Sequence, residues 1–261
     1  MLTEKPLGKK GYLYLYSELQ GEFSKNLQKF LFDVLSNFAG YSMKYVRSDL
    51  YEFPFLYKER TLSSVLIPSF QNASDSGVVL AEVPIVRKSR NEKHGGRIDY
   101  VVRHKHRNIL IEVKHCWVSY NSIKNGVEAK NYFTKKIKEV LKQIKSIDAE
   151  DWENYIKVAL IVAPVYKVFN SYPMKDGNIT TKFKKEVNTE TIDEFFESFY
   201  DKLLDYSSRF LPRKEKIYPF IAQWYIPKFF EYYFEYDNED DNKIRYEAYP
   251  CVAFLGIAMK E

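Results

Sequence analysis

Asp99, Glu112 and Lys114 are the three side chains of this 261-residue chain whose types and spacing could do chemistry together. They sit in Gly-Gly-Arg-Ile-Asp at 95–99 and in Ile-Leu-Ile-Glu-Val-Lys at 109–114. Two carboxylates and a lysine form a minimal kit for a hard divalent cation, which prefers oxygen ligands and keeps several waters. Such an ion acidifies a water and neutralises charge on a phosphate, while the lysine orients or deprotonates the nucleophile. The chemistry implied is metal-dependent attack on a phosphodiester. The competing reading of the same triplet is a cross-strand Asp–Lys salt bridge on a solvated face.

Two strands must position these residues. Segments 97–103 and 108–115 are short and rich in Ile, Val and Leu. Side chains alternate along a strand, so Glu112 and Lys114 share one face and Ile109, Ile111 and Val113 the other. His104-Lys105-His106-Arg107 has the length of a hairpin loop. A turn centred between Lys105 and His106 puts Asp99 opposite Glu112; a turn shifted by one residue along each strand puts it opposite Lys114. No Asn-Gly or Asp-Gly selects between them. Facing carboxylates repel across a strand pair, so the arrangement calls for a compensating charge from Lys114 or a bound cation.

The flanking segments supply further elements. Residues 59–73 read as a helix with Leu62, Val65, Leu66, Ser69 and Phe70 on one stripe, bent or ended near Pro68, and Glu59 falls on that stripe. Residues 77–86 read as a strand carrying Glu82, and Pro84 marks an edge or strand end. Residues 125–147 read as one helix that buries Phe133, Ile137, Val140, Leu141 and Ile144, with Lys136 and Gln143 at the stripe's border. The apolar run 155–165 suits a strand buried on both faces of a mixed sheet.

Asp99, a spacer and Glu112-Val113-Lys114 at the end of an apolar strand resemble the PD-(D/E)XK, restriction-endonuclease-like nucleases. The proline that commonly precedes the aspartate is replaced by Arg97-Ile98. The resemblance implies an α/β fold whose core runs helix, three strands, helix, strand around a mixed sheet. It implies Asp99, Glu112 and the Val113 carbonyl as ligands of Mg²⁺ (or Mn²⁺), and Lys114 as the catalytic lysine. Glu59 lies where similar nucleases place an extra acid, with Glu82 as the second choice, and Gln143-Ile144 resembles a Gln-hydrophobic pair found on their later helix. The core spans 58–165; 1–57 becomes a helical N-terminal elaboration and 166–261 a C-terminal one, packed together as a single domain. The expected substrate is DNA. The alternative is a catalytically inactive protein on the same fold that binds nucleic acid or a protein partner. Many similar nucleases dimerise to cut both strands, so a homodimer is one expectation.

Charge and composition bear on these expectations. Net charge is only +5, yet Arg87, Lys88, Arg90, Lys93 and Arg97 lead a run that also holds Arg103, Lys105, Arg107 and Lys114 against Glu92, Asp99 and Glu112. With Lys136, the first five are the expected phosphate contacts. All four histidines (His94, His104, His106, His115) fall nearby, but strand alternation turns His104 and His106 away from Asp99. A zinc site is therefore not expected. Cys116 and Cys251 form no disulfide framework, and no apolar run approaches membrane-spanning length, so a cytoplasmic protein without membrane contact is expected. Outside the core, 17–38 reads as a helix closed by Gly40, 190–206 as another, the aromatic stretch 218–236 mainly as core, and 249–259 as a strand pairing with 217–226.

Overall fold

Period-2 and period-3.6 apolar patterns alternate along this chain, and they fold into a mixed α/β structure. A computed structural model describes residues 2–17, 22–48, 50–57, 59–89, 92–150, 152–171, 187–210, 216–227, 233–238 and 243–260. The strands are β1 (Leu2–Pro6), β2 (Tyr12–Ser17), β3 (Val79–Ser89), β4 (Glu92–His104), β5 (Arg107–His115), β6 (Val118–Ser119), β7 (Ile147–Asp148), β8 (Tyr155–Ser171), β9 (Lys216–Tyr225), β10 (Tyr233–Asn238) and β11 (Lys243–Lys260). They form one sheet ordered β1-β2-β9-β11-β8-β5-β4-β3-β7, with β10 added to β11 and β6 to β8. The helices are α1 (Glu22–Arg47), α2 (Glu59–Ala73), α3 (Tyr120–Asn125), α4 (Val127–Lys145), α5 (Thr189–Glu197) and α6 (Tyr200–Phe210).

The sheet is mixed because β5 runs parallel to β8 while β3, β4 and β5 form an antiparallel meander. A parallel connection needs a crossover, and α3 and α4 supply it. Helices cover both faces. On one face α1 and α2 pack against Tyr100, Val102, Ile109 and Ile111; on the other α3 to α6 pack against Ile98, Val101 and Leu110. β8 is buried on both sides, as its composition requires, and β11 pairs with β9 as expected, in a register from Met259↔Ile217 to Cys251↔Tyr225. Pro84 sits where β3 has β4 on one side only, since β7 reaches no further than Val86 and Arg87.

Several boundaries differ from expectation, each for a packing reason. α1 runs through Gly40 to Arg47 because Ala39, Ser42, Met43 and Val46 extend the buried stripe, and the Arg47 guanidinium donates to the Lys9 carbonyl at 2.7 Å. Ser17 belongs to β2, and Leu19 of the expected helix lies outside the described residues. The N-terminal elaboration thus contributes a hairpin to the sheet as well as a helix. The expected 125–147 helix is α4, which starts after Gly126 (φ 82°) and ends at Lys145 because Ile147 belongs to β7; Gly126 separates it from the short α3 ahead of it. The 190–206 pattern is two helices, and Leu204 stays partly exposed. The position 165 falls inside β8, so one continuous sheet joins the central strands to the C-terminal ones. Phe220 and Trp224 of the aromatic stretch are core. No described helix is long and apolar enough to cross a membrane.

The β4–β5 turn decides the register. His104 pairs with Arg107, so Lys105 and His106 form a two-residue turn with φ of 46° and 61°. Both φ values are positive, as a type I′ turn requires, although neither residue is glycine or asparagine. Asp75 holds the turn: its carboxylate accepts the Lys105 N–H at 2.9 Å, while Ser74 and Ser76 hydroxyls donate to the Arg103 carbonyl at 2.8 and 2.6 Å. Tyr100↔Ile111 follows in register, and Asp99 comes next, across from Glu112. Replacing His106 by Gly should relieve left-handed strain and raise unfolding free energy by about 1 kcal/mol. A urea midpoint unchanged or lowered by His106→Gly would contradict a strained turn.

Candidate functional site

The backbone ladder between β4 and β5 stops at Tyr100↔Ile111, although β5 continues to His115 beside β8. A notch opens there, and side chains fill it. The Asp99 carboxylate accepts the Val113 N–H at 2.6 Å, taking over where backbone pairing ends. On its other side Asp99 lies across from Glu82, between the pairs Ala81↔Tyr100 and Val83↔Ile98. Glu82 adopts φ 55°, a left-handed conformation that interrupts the pleat, and its side chain is exposed. Burial raises the Asp99 carboxyl; the Val113 N–H and Lys114 oppose this, while Glu59 and Glu82 add to it.

Glu112 is only 3% exposed. Its compensating charge comes from Arg87 on β3, whose Nη2 lies 3.1 and 3.3 Å from the two carboxylate oxygens. The same guanidinium donates to the Gln143 carbonyl at 2.8 Å, to Ser146 Oγ at 3.0 Å and to the Arg97 carbonyl. To get there Arg87 crosses Gly96, where a Cβ would stand 2.7 Å from Arg87 Nε. Burial first, and then the neighbouring Asp99 charge, push the Glu112 carboxyl up to about 7, against the pull of Arg87 and Lys114. Two carboxyls raised by burial, and Glu112 further by Asp99, gain from any added cation.

Lys114 Nζ reaches Glu59 Oε1 at the start of α2, 3.4 Å away. Glu59, Glu82, Asp99 and Val113 line one shallow cleft of about 50 Å³, together with Ser63 and Tyr100, whose hydroxyls are 2.7 Å apart. Burial pushes the Tyr100 phenol up to about 12, so it stays a neutral hydrogen-bonding wall. At roughly 10–15 Å³ per water, the cleft has room for an ion with a few waters and none for a nucleotide. Among the described residues no three His, Cys, Asp or Glu side chains cluster as a metal site by themselves. The donor set still suits a hard divalent cation, which keeps much of its water, with one condition: such an ion shares Glu112 with Arg87.

The remaining expected residues scatter. Gln143 presents its backbone carbonyl to Arg87, and its own Oε1 is buried without a hydrogen-bond partner. Lys136 pairs with Glu139 at 2.8 Å. Arg87, an expected phosphate contact, points inward, where Glu112 holds its guanidinium. Lys88 and Lys93 bridge Asp148 and Glu150 at 2.7–3.4 Å, acids far along the chain that offset much of the basic run. Arg97 is exposed, with Glu82 3.8 Å away, and Arg90 lies outside the described residues. His104 packs on Phe30 and accepts the Asp75 N–H, while His115 Nε2 lies 3.0 Å from the Phe55 carbonyl oxygen. The inward role of Arg87 was missed from the sequence. Its one signal was Gly95-Gly96 inside a strand, which marks a close approach by another group.

Glu112 makes stability depend on pH. Folding lifts its carboxyl from 4.5 to about 7, so the folded state holds the proton more tightly. This contribution is complete below about pH 4.5 and is lost as pH rises through about 7. Its size is about 3 kcal/mol. Glu112→Gln should flatten the decline in urea-unfolding stability between these pH values; an identical slope in wild type and variant would contradict it. No protein-family model, no curated protein and no solved structure matches the chain.

Proposed function

We propose that this protein is a divalent-metal-dependent nuclease that hydrolyses phosphodiester bonds in DNA, built on a restriction-endonuclease-like core. The observation that carries the reading is Asp99 standing across from Glu112 at the notch, with Lys114 one step along the same strand. The order α2, β3, β4, β5, α4, β8, with β5 parallel to β8, supports the core architecture. Asp99, Glu112 and Val113 would hold the Mg²⁺ or Mn²⁺. When bound, the ion supplies an acidified water and charge neutralisation at the phosphate. Glu59 draws the Lys114 ammonium towards the cleft, where it can donate to the attacking water or to a phosphate oxygen. Arg97 is exposed at the cleft's side and offers a backbone-phosphate contact, whereas the paired Lys88 and Lys93 offer theirs only by leaving Asp148 and Glu150.

A second reading has its own observation: Arg87 already supplies Glu112 with a cation. On that reading the fold binds nucleic acid without cutting it, and binding weakens steeply with salt. The two separate experimentally. Under the nuclease reading, plasmid or oligonucleotide DNA is cut with Mg²⁺ or Mn²⁺, and Asp99→Ala or Lys114→Ala lowers the rate by at least about 100-fold. Full activity in either variant would sink the assignment of that residue. Calorimetry showing no Mn²⁺ uptake by the wild type, together with salt-sensitive DNA binding, would establish the second reading instead.

A further inference from the structure

A cavity of about 480 Å³ lies beside the cleft rather than in it. Trp117 follows Lys114 by three residues and is held in place by β6, whose Val118 and Ser119 pair with Val165 and Tyr166 of β8. The facing wall is β11 with β10 beside it, where Phe234 pairs with Glu247. Four aromatic rings therefore converge. Trp117 meets Tyr166 edge-on at 5.9 Å and lies 5.9 Å from Tyr249, which meets Phe234 at 5.8 Å. Leu56 and Tyr57, just ahead of α2 and Glu59, complete the side nearest the cleft.

Among the described residues, three charged groups line this box: Glu52, which accepts from the Tyr57 hydroxyl on the side of Leu56 and Tyr57, and Glu247 with Arg245 on the β11 wall. Glu247, 13% exposed, accepts the Tyr249 hydroxyl on Oε2 at 2.8 Å and pairs with Arg245 through Oε1. A carboxylate has about four acceptor positions, so each oxygen keeps capacity for another donor. Arg245 is 48% exposed and stands outward of Glu247. Aromatic walls bind a flat ring; an inner carboxylate accepts from adjacent ring N–H and NH₂ groups; an outer guanidinium takes phosphate. The volume suits a ligand of nucleotide size. A methylated ammonium would also suit aromatic walls and the two carboxylates Glu52 and Glu247, and binding of tetramethylammonium in place of dGMP would overturn the nucleotide assignment.

We propose that this aromatic box is a guanine-binding pocket, in which Trp117 stacks on the base and Tyr166 meets the base edge-on, Glu247 accepts from N1–H and the 2-amino group, and Arg245 contacts the nucleotide's phosphate. The choice of a nucleotide as ligand rests on the nuclease reading of the neighbouring cleft. The base comes either from a free nucleotide or from an unpaired guanosine in a DNA strand.

Tryptophan-fluorescence titration in EDTA tests the pocket without cleavage, so loss of nuclease activity and loss of this site are read separately. dGMP should bind more tightly than dIMP, which lacks the 2-amino group, and both more tightly than dAMP. Trp117→Ala should weaken dGMP binding by at least about fivefold, followed by calorimetry since one reporter is removed. Glu247→Gln keeps the shape and should erase the preference for dGMP over dAMP; thermal melting of both variants checks that they are folded. Tighter binding of a duplex with one unpaired guanine than of dGMP would assign the pocket to the strand, and equal or weaker binding to the free nucleotide. dGMP binding no tighter than dAMP, or unaffected in folded Glu247→Gln, overturns the proposal.

Discussion

The constraint on which the site depends is the burial of Glu112 beside Asp99. Of two carboxyls on adjacent strands, Glu112 is almost fully enclosed and is held up at about 7 by lost hydration and the Asp99 charge, while burial raises Asp99. The structure arranges positive charge around them from three directions. Arg87 comes over Gly96 from β3, Lys114 projects from β5, and the Val113 N–H points at Asp99. The strand ladder gives way at the same place, because a carboxylate has taken the hydrogen bond that would have continued it. An open ladder, a glycine pair and an inward arginine are thus consequences of one electrostatic problem.

Arg87 also links the site to the fold. Its guanidinium ties β3, β4 and β5 to the last turn of α4 through the Gln143 carbonyl and Ser146. Truncating one partner of such a buried pair leaves the other unpaired, so Arg87 cannot be treated as a surface cation available to a phosphate. The nearby lysines behave similarly at the surface, where Asp148 and Glu150 meet Lys88 and Lys93. Positive charge concentrated along one stretch of chain became, after folding, a set of ion pairs with residues about sixty positions away. Local charge density in a sequence overstates the field a polyanion meets.

Much of the scaffold was legible because hydrophobic periodicity is a local signal. The α2 stripe of Leu62, Val65, Leu66, Ser69 and Phe70 is buried as its spacing requires, as is the α4 stripe from Phe133 to Ile144. The doubly buried β8 and the β9–β11 pairing were likewise readable from apolar runs and alternation. Errors came where a local stop signal met a favourable tertiary contact. Gly40 did not end α1, because the apolar stripe beyond it had a sheet to cover. Gly126 does separate two helices, α3 and α4, because there the chain adopts a positive φ. The same residue type terminates or continues a helix according to what its neighbours bury.

The sequence by itself determined the central strands, the alternation that puts Glu112 and Lys114 on one face, and the two turn registers open to Asp99. It did not determine which register holds, since no glycine or asparagine marks the turn; Asp75, on a separate loop, holds Lys105 and His106 in their strained conformation. Nor did it determine that Arg87 turns inward or that Trp117, Tyr166, Phe234 and Tyr249 converge on one cavity. Periodicity and side-chain type act over a few residues and can be read along the chain. Charge compensation and ring convergence join residues tens to over a hundred positions apart, and only the packed sheet brings those into contact.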